Sequence, residues 1–211
     1  MNIQLLKSAE KQFLDLYPKG FHDAHFSDLE KKYKMQKHSQ FALENFSLEK
    51  FKNTEEIIES AIKLISQSAM VSVFEKAKYK DFMRSLPAKE QKIFTAGLKQ
   101  MLHETEQEGG FLKITQILGE GKLDKWPLVS CIPAYHKPDF EVFMKPTTVK
   151  GIIEKLSLEN LVYNAKPSWD FYNEYRKQIN QMKKKVNKNL STSNAAFSGF
   201  LMMTLLEGMR K

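Results

Sequence analysis

"KWPLVSCIPAYHKPDFEVFMKPTTVKG", residues 125 to 151, holds four of the seven prolines and the only cysteine of this 211-residue chain. How it folds decides the fold class. "PLVSCI" and "EVFM" are short, apolar and carry β-branched or aromatic residues, which suit a pleated surface. Prolines bracket both runs. A proline removes a backbone N–H and restricts the residue before it to extended conformations. The pattern predicts two short strands between residues 128 and 144, with Pro127, Pro133, Pro138 and Pro146 at strand ends or turns.

Outside this stretch the sequence reads as helix. Leu6, Ala9, Phe13 and Leu16 form one stripe over residues 2–17. Ser27 and Glu30 have capping-box spacing at the head of a helix over 27–37, and a short helix follows over 38–46. Asn53 caps a helix whose one face carries Ile57, Ala61, Leu64, Ile65 and Ser68. Phe74, Lys78, Phe82 and Leu86 recur every four residues in the next. Pro87 suits the first turn of a helix running through Ile93, Leu98 and Met101 to about residue 105. "EGG" at 108–110 is expected to break the chain before a short helix marked by Phe111, Ile114 and Ile117. Thr147 is the expected cap of a helix through Val149, Ile152 and Leu156. The whole reads as a mainly α chain, α+β at the margin. It is one multi-helix globular domain with a small two-stranded β element, and Gly119 to Lys125 is the place where it would divide.

Composition narrows the function classes. Hydrophobic residues make up 42% and charged residues 27%, which are globular rather than disordered proportions. The single Cys131 excludes an internal disulfide and any cysteine-based zinc site, and fits a reducing, cytoplasmic setting. Lys7, Glu10 and Lys11 interrupt the first apolar residues, so no signal-peptide core is expected there. "AAFSGFLMMTLL", Ala195 to Leu206, is too short for the roughly 20 apolar residues of a membrane span. No membrane partner and no cofactor are expected. "GEGKLD" lacks the spacing and the hydroxyl of a phosphate-binding loop. "FHDAHF" offers His22, Asp23 and His25 without a full ligand set, so no metal site is expected.

The net charge of +8 is uneven: residues 121–211 carry +7 and residues 1–120 carry +1. Its focus is "PSWDFYNEYRKQINQMKKKVNKN". Ser168 caps a helix whose Tyr172, Tyr175, Ile179, Met182 and Val186 face the core. Arg176, Lys177, Lys183, Lys184, Lys185 and Lys188 then supply six cations with no acid among them. Cations suit a helix C-terminus, but six exceed what the dipole requires. Nucleic acid is therefore the expected partner, with Lys183, Lys184, Lys185 and Lys188 on phosphates and Arg176 and Lys177 behind them. Two alternatives stay open. One is an enzyme or binding protein for an anionic ligand at Lys145, held by Pro146 beside Thr148 at a helix start, with Tyr33, His38, Trp126 and Trp169 nearby. The other is a protein-interaction module, in which the apolar last helix, residues 194–209, forms a homodimer contact.

"YPKGFHD", "KKYKMQKH", "FEK" at 74–76, "KWPLVS", "KPDFEVFMKPTT", "LVY" at 161–163 and "KPSWDFY" occur in that order along the chain. This series resembles a bacterial family of cytosolic proteins with Trp-Pro, Phe-x-Lys-Pro-x-x-Thr and Pro-x-Trp-x-x-Tyr landmarks. The resemblance implies no activity. Members of that family end in an acidic-aromatic run, where this chain has "NAAFSGFLMM".

Overall fold

In the computed structural model, which describes residues 1–206, the predicted strands are absent. "WPLVSCIPAYH" forms a helix, Trp126–His136, and no strand occurs among the described residues. The chain runs through α1 (Ile3–Leu16), α2 (Ser27–Tyr33), α3 (Met35–Asn45), α4 (Thr54–Gln67), α5 (Val73–Ser85), α6 (Ala88–His103), α7 (Glu108–Glu120), α8 (Trp126–His136), α9 (Pro146–Lys155), α10 (Trp169–Lys183) and α11 (Asn194–Leu201). A π-helical turn, Met202–Leu206, continues α11.

Helix α8 is the centre of the molecule. It packs on α3, α4, α6 and α7, and every residue in it except Pro127 is buried. A helix covered on all sides has no polar stripe, so its sequence shows neither a 3.6-residue nor a two-residue period. That is why the apolar run resembled a buried strand. Pro127 falls in the first turn, where its missing N–H costs nothing. Pro133 lies inside the helix and forfeits one i→i−4 hydrogen bond. The helix continues past it, and Lys137 N–H donates to the Pro133 carbonyl at 2.9 Å.

"EVFM" takes no regular secondary structure and pairs with no strand, and side chains satisfy part of its backbone instead. Met144 N–H donates to Ser130 Oγ at 2.9 Å, and that hydroxyl donates to the Trp126 carbonyl at 2.7 Å. The Asn194 side-chain amide donates to the carbonyls of Phe140 and Glu141 at 2.9 and 3.1 Å. Asn180 Nδ2 adds a second donor to Phe140 at 2.8 Å. Buried backbone groups need partners, but nothing requires those partners to be a strand. The segment between α8 and α9 is thus tied to α10 through Asn180 and to α11 through Asn194.

Three further expectations are corrected by packing. "EGG" begins α7 rather than breaking the chain, because Gly110 lets α7 lie against Gly97 of α6. A Cβ built at Gly110 would sit 2.5 Å from the Gly97 carbonyl oxygen. In α5 the buried face carries Tyr79 and Met83, while Phe74 is 84% exposed. The helix after Pro146 is capped at Lys145, with Pro146 rather than Thr147 beginning it. Buried residues from Leu6 to Leu201 form one apolar cluster that runs across the Gly119–Lys125 segment.

Candidate functional site

The six cations of the α10 region divide into two sets. Helix α10 places Tyr172, Arg176, Ile179 and Lys183 at 4-3-4 spacing, on one stripe that faces inward. Arg176 is 5% exposed. Its Nη1 lies 2.8 Å from both carboxylate oxygens of Glu141 and 2.7 Å from Gln107 Oε1, and its Nη2 lies 2.9 Å from Asn173 Oδ1. Glu141 also accepts from Tyr172 Oη at 2.7 Å and from Gln107 Nε2 at 2.8 Å. The guanidinium is stacked within reach of Phe140, Trp169 and Tyr172, with centroid distances of 4.5, 5.4 and 5.4 Å. Burial, followed by the Glu141 charge, holds the Tyr172 phenol well above its usual range. Arg176 is therefore a structural ion-pair residue, enclosed away from any phosphate.

Lys183 is largely enclosed as well. Its ammonium donates to the Asp139 carbonyl at 2.7 Å, with the Asp139 carboxylate 3.9 Å away. Burial lowers its pKa, against the opposing pull of Asp139. Lys177 lies 3.5 Å from Glu174 on the exposed side of the helix.

The second set is exposed. Helix α10 ends at Lys183, so Lys184 and Lys185 lie in the following turn, and Lys188 begins a 3₁₀ turn, Lys188–Leu190. No carboxylate among the described residues forms an ion pair with Lys184, Lys185 or Lys188. Contacts distant in sequence fix this segment. Lys7 of α1 donates to the Lys185 carbonyl, and Glu10 accepts the Asn187 N–H at 2.6 Å. Gly20, at φ +59°, brings the 18–20 turn against Asn189, where a Cβ would meet the Asn189 carbonyl oxygen at 2.5 Å. Lys19, exposed, precedes Gly20 in that turn. Glu10, the acid closest in these contacts, is already bound by Lys7 and Asn187.

The residues proposed around Lys145 are not drawn into one pocket. Lys145 is exposed at the cap of α9, and Thr148 is buried one turn into that helix. His38 packs on Tyr135, with ring centroids 5.2 Å apart, near the C-terminal end of α8. Trp126 begins α8, which puts it about 14 Å from Tyr135 along the helix axis at ~1.5 Å per residue. Trp126 and Trp169 do meet the same partners, Phe111 and Tyr172. Tyr33 is half-buried at the end of α2, beside Lys32. A surface depression is lined by Asn160, Val162, Ser168, Asp170, Phe171, Asn173 and Glu174, and holds none of these candidates.

Helix α11 turns its large apolar residues into its own chain. Phe197, Phe200 and Leu201 are buried, Phe200 against Phe13 of α1. Residues 207–209 of the proposed dimer helix lie outside the described residues. His22 and His25 sit exposed in two 3₁₀ turns, Gly20–His22 and Ala24–Phe26.

The sequence reading missed Glu141 and Gln107. Glu141 opens an otherwise apolar run, and an acid in a segment that must be buried needs a cation. Arg176, four residues after Tyr172 and three before Ile179 on the core stripe, is that cation. Comparison with known protein families, with curated proteins and with solved structures finds no match.

Proposed function

We propose that the protein binds nucleic acid through Lys184, Lys185 and Lys188, with Lys19 of the adjoining Gly20 turn. The observation that carries this reading is the exposed lysine segment after α10, which has no acid in its own sequence and is anchored by Lys7 and Glu10 of α1 and by the Gly20 turn. Anchoring matters, because a cation held in place loses less freedom on meeting a phosphate. Arg176, Lys177 and Lys183 are left out, since each already has a partner within the protein. Recognition of this kind reads phosphates and carries no sequence preference.

The test is a salt titration of binding to single- and double-stranded DNA and RNA, wild type beside a K184Q/K185Q/K188Q variant. Each phosphate contact contributes about −0.9 to the slope of log K against log salt on duplex DNA. Three lysines predict a slope near roughly −3, and the variant should lose most of it. Absence of binding at low salt, or an unchanged slope in the variant, would sink the reading.

A further inference from the structure

The lysine segment after α10 follows α1 along its length. Lys7 holds the Lys185 carbonyl, Glu10 holds the Asn187 N–H, and Gly20 lies against Asn189. These contacts lead to the C-terminal end of α1, where Tyr17 is the cap. There the Gly20 N–H donates to the Tyr17 carbonyl at 2.8 Å, and the Gly20–His22 turn packs on the Lys188–Leu190 turn. A group of rings stands at that end. Tyr17, half-buried, and His25, exposed, lie against each other with centroids 4.9 Å apart and planes inclined by 30°. Buried Phe13 and Phe26 back them. Tyr17 lies 5.1 Å from Phe13 and 4.7 Å from Phe26, and His25 lies 5.2 Å from Phe26. The acids of this end are engaged within the chain: Lys11 binds Asp15 at 2.6 Å, and Asp23 accepts the His25 N–H at 3.2 Å.

We infer that the nucleic acid is single-stranded, and that its bases stack on the Tyr17–His25 rings while its phosphates meet Lys184, Lys185 and Lys188. The inference rests on the nucleic-acid reading above and specifies the partner. Unpaired strands are recognised by cations that track the backbone next to rings that take the bases, and tyrosine and histidine both serve as such rings. Both parts are present here, and the Gly20–Asn189 contact joins them. A ring held from behind by packed neighbours loses little freedom when a base covers it, which favours binding. A duplex fits less well. Its bases are already stacked on one another, so it could use the lysines but not the rings. Every base has a π-face, so stacking of this kind tolerates any sequence.

The experiment is fluorescence anisotropy of the full chain with one mixed-sequence oligonucleotide, as single-stranded DNA, as single-stranded RNA and as duplex DNA, across a salt series. Wild type is compared with H25A, H25F, H25K and K184Q/K185Q/K188Q, each checked for native helicity by circular dichroism. His25 is exposed, so its replacement leaves the core intact. Wild type should bind the single strands about tenfold more tightly than the duplex. H25A should lose about tenfold on single strands and far less on the duplex. H25F, which restores a ring without a charge, should recover the loss, and H25K should not. The lysine variant should flatten the salt dependence. If no form of the oligonucleotide binds, the nucleic-acid reading and this inference fall together. If binding depends on the lysines but H25A holds single strands as wild type does, this inference alone is overturned. It is equally overturned if wild type binds duplex as tightly as single strands, or if H25K recovers binding and H25F does not.

Discussion

Arg176 and Glu141 form an ion pair at 2.8 Å in the interior, with side chains 6% and 1% exposed. The pair joins α10 to the irregular segment after α8, and Gln107 and Tyr172 complete its hydrogen bonds. Such a pair is weak evidence of net stabilisation, because both ions lost their water. Removing one partner is a different matter, since it strands the other charge. Arg176→Met should cost about 3–5 kcal/mol. For a chain of this size that lowers the melting temperature by about 10 °C, at roughly 2–4 °C per kcal/mol. A double variant that also carries Glu141→Leu should recover a large part of the loss. Urea and thermal unfolding of the three proteins check this. A single variant as stable as wild type would mean that the pair is open to solvent.

The contact between α6 and α7 makes a paired prediction about glycines. Alanine is intrinsically better than glycine in a helix interior by about 1 kcal/mol. At Gly119 the nearest atoms to a new Cβ are those of Asp124 at 3.9 Å, so Gly119→Ala should stabilise by up to about 1 kcal/mol. At Gly110 the new Cβ would meet the Gly97 carbonyl oxygen at 2.5 Å and the Met101 nitrogen at 2.7 Å. Both are backbone atoms and cannot swing aside. Gly110→Ala should therefore destabilise by about 1–3 kcal/mol despite its better propensity. Denaturant midpoints of the two variants against wild type give opposite signs if the helices touch there.

His136 sets a pH dependence. It is buried against His103, with ring centroids 5.1 Å apart, and its Nδ1 has no hydrogen-bond partner. Burial first, then His103 and Lys137, lower its pKa to about 4, from 6.5 when unperturbed. His38 is lowered for the same leading reason, with Lys37, Lys34 and Lys76 adding to it. The folded state thus holds both rings neutral where the unfolded chain would protonate them. Above pH 6.5 neither state is charged at these rings and the stability is intact. As pH falls towards 4, the unfolded state gains protons first and stability declines. Unfolding free energy followed across that window should fall less steeply in His136→Phe than in wild type. Equal slopes would remove His136 as a contributor.

The helices of the outer layer were legible because each keeps a wet face. Ile57, Ala61, Leu64 and Ile65 stand out against Glu55, Glu59 and Lys63, and the structure buries the first four. The same rule failed where a face was absent or shared. Helix α8 is enclosed all round, so its sequence carries no period from which to choose helix over strand. Phe74 keeps a four-residue spacing with Phe82 and Leu86, yet the packed face of α5 belongs to Tyr79 and Met83. The candidate site divided in the same way: the exposed lysines after α10 were legible as charge, while the enclosure of Arg176 and Lys183 was not.

By itself the sequence determined the helical class of most of the chain and the excess of positive charge in its last third, because period and charge are local properties. The tertiary structure decided that Arg176 is a buried partner of Glu141. It also brought Lys7 and Gly20 beside the Lys184–Lys188 turn and left Val73 and Phe74 in solvent. The Arg176–Glu141 pair meets across 35 residues of chain, the Lys7 and Gly20 contacts cross more than a hundred, and the Val73–Phe74 exposure depends on a face that no neighbour covers. Burial, and with it the fate of a charge or an apolar ring, belongs to the packed whole.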